Sequence, residues 1–384
     1  MGPLSHQQEE EMTRRLIALV AVLTMMMAAC TEAAEDTTTT AATDDGTTAT
    51  SSADTTPAAP SGDTLAAVQG RGAVNCGVNP SVPGFGFTDA DGNFSGFDID
   101  FCKALAAAVF GDPEAVEYVP LDAAQRFTAL GSGEIDVLIR NTTWTASRDG
   151  GEGATFLTTT FYDGQGMMVR ADSGFETIED MADVAVCVLT GTTTELNLAT
   201  RFGSIPYTPQ TFDDNETLQA AFIAGQCDGW TSDKSQLAGV RSAFPEAEGG
   251  PDSLVILDET FSKEPLGPAV RDGDSQWAQI VDWVVITTIA AEELGIESGN
   301  IDTFADSENL DIRRMLGLEI TADDGTVSVF DAGLGLEPGW PGDVIAAVGN
   351  YGEIYERNVA PLGVPRGPNS LYIDGGLLYA PPFR

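Results

Sequence analysis

The chain has 384 residues, with 18 Lys or Arg against 59 Asp or Glu and a formal net charge of −41. This excludes nucleic acid and anionic lipid as partners, because every approach to a phosphate would be repelled. Length allows about two ordinary domains, and 42% hydrophobic residues suffice to fill their cores. The single histidine, His6, lies ahead of a segment expected to be removed on export. That excludes imidazole catalysis and histidine-held metal, and neither cofactor nor metal is expected.

Met12-Thr13-Arg14-Arg15 and the apolar run Leu16 to Ala29 have the basic start and core length of an export signal, and fall short of a membrane span. The run ends Met27-Ala28-Ala29-Cys30, which resembles the lipobox of bacterial lipoproteins, where cleavage exposes a cysteine for acylation. Residues 1–30 therefore read as an upstream segment without expected function followed by a lipoprotein signal peptide, with Cys30 as the lipidation site. The mature chain is expected in the periplasm or on the outer face of the cytoplasmic membrane. Residues 31–63 contain no aromatic residue, Lys or Arg and cannot bury enough surface to fold, so a disordered, acidic, Thr/Ala-rich tether is expected.

Ala73 to Val78 has a buried-strand pattern ending at Asn79-Pro80, and Phe87 to Phe94 forms a hairpin turned by Asp91-Gly92. The acids of that turn do not have the spacing of a calcium loop. Cys102 to Val109 is a helix that Asp98 or Asp100 can cap. Val116 to Pro120 is a strand, Ala123 to Gly131 a helix, and Ile135 to Ile139 a strand ending in the polar loop Arg140 to Thr145. A second set follows: strand Asp183 to Leu189, a capping-box loop Thr190 to Glu195, helices Leu196 to Phe202 and Leu218 to Gly225, and strand Cys227 to Thr231. Such alternation predicts an α/β fold of two lobes, each a mostly parallel sheet flanked by helices, with ligands outside the carboxyl ends of the strands. Chain crossings near Tyr162 to Met168 and Leu257 to Pro265 place residues 64–166 and 262–384 in lobe 1 and 167–261 in lobe 2, and helix Gln276 to Leu294 closes the first core.

Four cysteines beyond Cys30 allow three pairings. Cys76 with Cys102 and Cys187 with Cys227 are favoured, because each bridge then stays within one lobe.

A free amino acid presents a carboxylate and an ammonium on one carbon, so its receptor needs a bidentate cation, neutral donors and one carboxylate. Arg148, Thr192 and Thr193, and Asp233 supply these at strand ends. Spacing alone also permits Arg148 as a surface ion pair, the threonines as a helix cap, and Asp233 as a cap before Ser235 to Val240.

Gly96 to Phe101 with Leu105-Ala106 resembles the signature of the family 3 extracellular solute-binding proteins, the polar amino-acid receptors of ABC transporters. Longer strings resemble its general L-amino acid-binding subfamily: Arg126 to Leu130, Gly133 to Val137, Arg140 to Asp149, Phe161 to Met167, Gly191 to Leu198, Lys263 to Pro268, Gly349 to Glu353 and Tyr379 to Pro382. The resemblance implies a type II periplasmic-binding-protein fold with a two-strand hinge, closing on an L-amino acid of broad choice and delivering it to permease subunits, as a monomer. By position, Arg148 matches the carboxylate-binding Arg, Asn141 and Thr143 the loop before it, Thr192 and Thr193 the second-lobe donors, and Asp233 the ammonium acceptor. Asn79 falls where many relatives have an acid, and Val82 and Ala123 fall where narrow-specificity relatives place aromatics, which implies a roomy pocket. The alternative is an enzyme on the same fold, such as a cyclohexadienyl dehydratase, for which Glu195 is the candidate acid or base.

Overall fold

The computed structural model describes residues 63–384; Cys30, the signal segment and all but the last residue of the tether lie outside the described residues. The chain enters through α1 (Thr64–Arg71) and β1 (Val74–Val78), then the hairpin strands β2 (Ser81–Val82), β3 (Gly86–Thr88) and β4 (Phe94–Ser95). Helix α2 (Phe97–Phe110), β5 (Val116–Pro120), α3 (Arg126–Ser132), β6 (Val137–Leu138), α4 (Ala146–Gly151) and β7 (Ala154–Phe156) complete the first pass. After β8 (Phe161–Asp163) come β9 (Gln165–Arg170), β10 (Val184–Leu189), α5 (Thr193–Phe202), β11 (Tyr207–Phe212), α6 (Asn215–Ile223), β12 (Gly229–Asp233), α7 (Lys234–Ser242) and β13 (Leu254–Ile256). The chain returns through β14 (Glu264–Leu266) and β15 (Ala269–Arg271) into α8 (Ser275–Leu294).

Two five-stranded sheets result, in the orders β5-β1-β6-β15-β7 and β11-β10-β12-β9-β13. In the first, β1 runs parallel to β5 and β6, and β15 is antiparallel to both β6 and β7. In the second, β10 runs parallel to β11 and β12, and β9 is antiparallel to both β12 and β13. Each sheet thus has one reversed strand, and in each it is the strand by which the chain arrives from a crossing rather than from a strand-helix-strand unit. Because every parallel strand of a sheet ends on the same side, the polar loops that follow β1, β6, β10 and β12 collect at the sheet ends.

The crossings themselves pair as a separate two-stranded ribbon, Phe161 opposite Leu266 and Asp163 opposite Glu264. Between β8 and β9, Gly164 sits so close to the second crossing that a Cβ there would strike Thr260 Cγ2 and lie 2.9 Å from Ser262 O. Residues after α8 pack back on the first core, which includes Trp277, Trp340 and Tyr351. They also grip the ribbon: Asn369 accepts the Tyr162 N–H at 2.7 Å and donates to its carbonyl at 3.2 Å, and the Tyr351 hydroxyl donates to Thr160 O at 2.8 Å.

The hairpin forms as expected, with Asp89 accepting the Asp91 and Asn93 amides around Gly92. The expected capping by Asp98 or Asp100 does not occur. Helix α2 starts at Phe97 behind Gly96, whose φ of 130° suits only glycine, and Asp98 lies buried inside the first turn. Helix α3 begins at Arg126, later than the expected Ala123, because residues 123–125 form a turn.

Cys76 on β1 is bonded to Cys102 on α2, with Cα atoms 6.1 Å apart, and Cys187 on β10 to Cys227 just before β12, at 5.7 Å. The first bridge ties a helix to its own sheet, the second links β10 to the approach to its neighbour β12, and neither spans the ribbon. Closing loops of 26 and 40 residues, each is worth about 3–4 kcal/mol against the unfolded chain. Peptide mapping should recover these two linkages alone, and reduction should lower the thermal midpoint by roughly 5–10 °C while leaving ligand binding at low temperature intact.

Candidate functional site

The loop after β6 is held in place by buried polar contacts. Asn141 has a φ of 32°, unusual for a residue with a side chain, and its amide donates to Asp98 Oδ2 at 2.7 Å. Its side chain accepts from Asn79 Nδ2 at 3.1 Å and donates to Gln236 Oε1 at 3.0 Å. Thr145 caps α4 by accepting the Arg148 N–H, so the short helix aims Arg148 back over the loop, where Nη1 donates to Thr143 O at 2.9 Å. Its guanidinium also lies 5.6 Å from the centre of the Phe127 ring.

Facing this loop are the ends of β10 and β12. Thr192 caps α5, accepting the Glu195 N–H at 3.0 Å and donating its hydroxyl hydrogen to Leu189 O at 2.7 Å. Thr193 donates its hydroxyl to Glu264 Oε2 at 2.8 Å. Both hydroxyl hydrogens are therefore committed, and α5 offers the cleft its first-turn backbone N–H groups instead. At the end of β12, Asp233 is 5% exposed, and its Oδ1 has no hydrogen-bond partner among the described residues.

Hydrogen bonds cross the cleft. Thr143 Oγ1 lies 3.3 Å from Thr193 Oγ1, Asn215 donates to Ser81 Oγ at 3.1 Å, and Arg126 Nη2 donates to Gly191 O at 3.4 Å. The cavity they surround is lined by Arg126, Arg140, Thr143, Arg148, Thr193 and Asp233, among others. It adjoins a wider cleft lined in part by Ala123, Phe127 and Glu195.

Charge in the cavity is poorly solvated. Burial, with Asp163 and Glu264 nearby, pushes the Asp233 carboxyl well above its ordinary range, against the pull of Arg126 and Arg148. Burial and the neighbouring Arg148 and Arg140 carry Arg126 well below its usual value, while burial brings Arg140 down to about 10 and also lowers Arg148. Arg126 Nε lacks a partner among the described residues. Such a cavity is built to receive separated opposite charges: an anion against the guanidiniums and α5, and a cation against Asp233.

The family model for bacterial extracellular solute-binding proteins, family 3, matches residues 74–296. The chain belongs to that family. The general L-amino acid-binding periplasmic protein AapJ of Rhizobium johnstonii is 49% identical over 332 residues, covering 85% of this chain and 94% of that one. The glutamate/glutamine/aspartate/asparagine-binding protein BztA of Rhodobacter capsulatus is 46% identical over 332 residues, covering 85% and 95%. Among solved structures, an ABC transporter periplasmic binding protein from Brucella ovis with glutathione bound superposes with a TM-score of 0.78 at 45% identity, covering 84% of this chain and 99% of that one.

In this family-3 chain the structure brings Asn141, Thr143, Arg148, Thr192, Thr193 and Asp233 to one cavity. Asn79 stands behind Asn141 as a buttress, and Ala123 lines the outer cleft. Val82 is not in the cleft: pairing with Gly86 turns it into the first core, where it is fully buried. Sequence reasoning missed Arg126, Arg140, Glu264 and Gln236. The first three lay in strings quoted for the family resemblance, yet nothing in their spacing marks them as lining the cavity or, for Glu264, as standing behind Thr193.

The Asp98 anchor makes stability depend on pH. Desolvation raises its carboxyl to about 7, despite the Asn141 amide and Arg140, so the folded chain keeps a proton that the unfolded chain releases near pH 4. Stability from this group therefore falls as pH rises from about 4 to about 7 and is level above that. Asp98→Asn keeps the acceptor for the Asn141 amide and removes the titration. Its stability relative to wild type should rise across that window in chemical denaturation at stepped pH.

Proposed function

We propose that this chain is the substrate-binding component of an amino-acid ABC transporter, capturing L-amino acids by cleft closure and delivering them to the membrane permease. The observation that carries the reading is the buried Asp233 oxygen without a partner among the described residues, in one cavity with the Arg148 guanidinium from the opposite sheet. Arg148 and the first N–H groups of α5 hold the α-carboxylate, and Asp233 takes the α-ammonium, whose charge keeps that carboxylate ionised. Residues 64–166 with 262–384 form one lobe and 167–261 the other, turning about the β8–β14 ribbon.

Breadth follows from reading the part that amino acids share. Ala123 leaves the outer cleft wide, and Arg126, which lines the cavity and whose Nε has no partner among the described residues, favours side chains that carry a carboxylate or amide. The names of the relatives AapJ and BztA support that choice. An enzyme is disfavoured: Glu195 spends its carboxylate on the Gly191 N–H at 2.8 Å, at the start of α5. The mature protein works as an exported monomer, lipid-anchored through Cys30.

Arg148→Ala and Asp233→Ala should each weaken every accepted amino acid by at least about a hundredfold in calorimetry on folded variants. Glutamate, glutamine and aliphatic L-amino acids should all bind wild type and shrink its radius of gyration in small-angle scattering, whereas D-isomers should not. Tight binding of a single amino acid in such a panel, or an unchanged radius at saturation, counts against the reading.

A further inference from the structure

Thr143 and Thr193 face each other across the cleft with hydroxyl oxygens 3.3 Å apart, and by geometry alone either could donate. Glu264 decides between them. Its carboxylate, 1% exposed on β14, is met by three donors: Thr193 Oγ1 on Oε2 at 2.8 Å, Asn197 Nδ2 on Oε1 at 3.0 Å, and Ser262 Oγ, also on Oε1. A hydroxyl has a single hydrogen, and Thr193 spends it on Glu264. Only lone pairs then face Thr143, so Thr143 must send its own hydrogen across the cleft. What remains on Thr143 Oγ1 toward the cavity is a lone pair, which repels a carboxylate and accepts from an ammonium.

We infer that Glu264 is a positioning residue that sets the direction of the Thr143–Thr193 hydrogen bond, so that Thr143 reads the α-ammonium of the ligand beside Asp233 rather than its carboxylate. The same one-way chain, Thr143 to Thr193 to Glu264, ties the end of β6 through α5 to the ribbon between the sheets. Specificity for an amino over a hydroxy acid thus depends partly on a residue that does not line the cavity. The inference rests on the amino-acid reading of the cleft.

Glu264→Gln tests it, because the amide is isosteric but has one acceptor oxygen. Two donors converge on Oε1, so the amide oxygen goes there and its NH2 faces Thr193, which reverses Thr193 and then Thr143. Calorimetry should show L-glutamate weakened at least about tenfold, and L-2-hydroxyglutarate, whose hydroxyl can accept the reversed hydrogen, by less than about threefold. In a Thr193→Ser background the tenfold loss should persist; in a Thr193→Val background, where no hydroxyl links Glu264 to Thr143, Glu264→Gln should add less than about threefold. Thermal melts check that each variant is folded. Glutamate binding by Glu264→Gln within threefold of wild type, equal loss of both ligands, or the full loss repeated in the Thr193→Val background would each overturn the inference alone. Wild-type protein that binds no amino acid would overturn the amino-acid reading with it.

Discussion

A carboxyl oxygen sealed from water without a partner is costly, and the cleft is arranged around one such atom among the described residues, Asp233 Oδ1. Asp233 is on the last residue of β12, where the strand register opposite Gln165 keeps its backbone inside the sheet while its side chain leaves the sheet end. The compensating charge comes from the other sheet, as Arg126, Arg140 and Arg148. Opposite charges thus meet in the cleft only where the two sheets come together.

What joins the sheets differs in kind from what builds them. Apolar clusters fill the space on either side of each sheet, yet no cluster combines residues of both. The hydrogen bonds across the cleft join hydroxyl, amide, guanidinium and carbonyl groups, which water can replace at small net cost. Two crossing segments provide the covalent link, and Asn369 and Tyr351 fasten one of them to the first core. A contact of this kind can open and reclose without unfolding either half, as capture and release demand.

The arginines add a bias to that design. A zwitterion brings one anion and one cation, and on the proposed reading Arg148 and Asp233, which line one cavity, answer the two. On that reading Arg126 is surplus to the shared part of an amino acid, and its buried Nε, without a partner among the described residues, would favour a second polar group on the ligand without making it obligatory. Ala123 in the outer cleft, where a larger side chain would narrow the space, works toward breadth. On the proposed reading, preference and permissiveness are thus assigned to different residues.

Local chemistry was enough to read much of this from the chain. Alternating strand and helix patterns located most elements to within a few residues, Asp91-Gly92 marked its hairpin, and the cysteine pairs followed once each was confined to one lobe. That Arg148, Thr192, Thr193 and Asp233 meet at one cavity was legible from strand-end position together with the family resemblance, since a parallel sheet puts loop residues at strand ends. Tertiary structure decided the rest. Val82 lies next to a strand end but points into the core, since pairing with Gly86 sets its face. Asp98 left its expected capping role because Gly96 starts the helix, and its carboxylate serves an amide in a loop far along the chain. Arg126 and Glu264 gain their roles from groups 65 and 71 residues away, Gly191 and Thr193. A side chain's direction and its distant partners depend on packing between elements, and no local pattern records that.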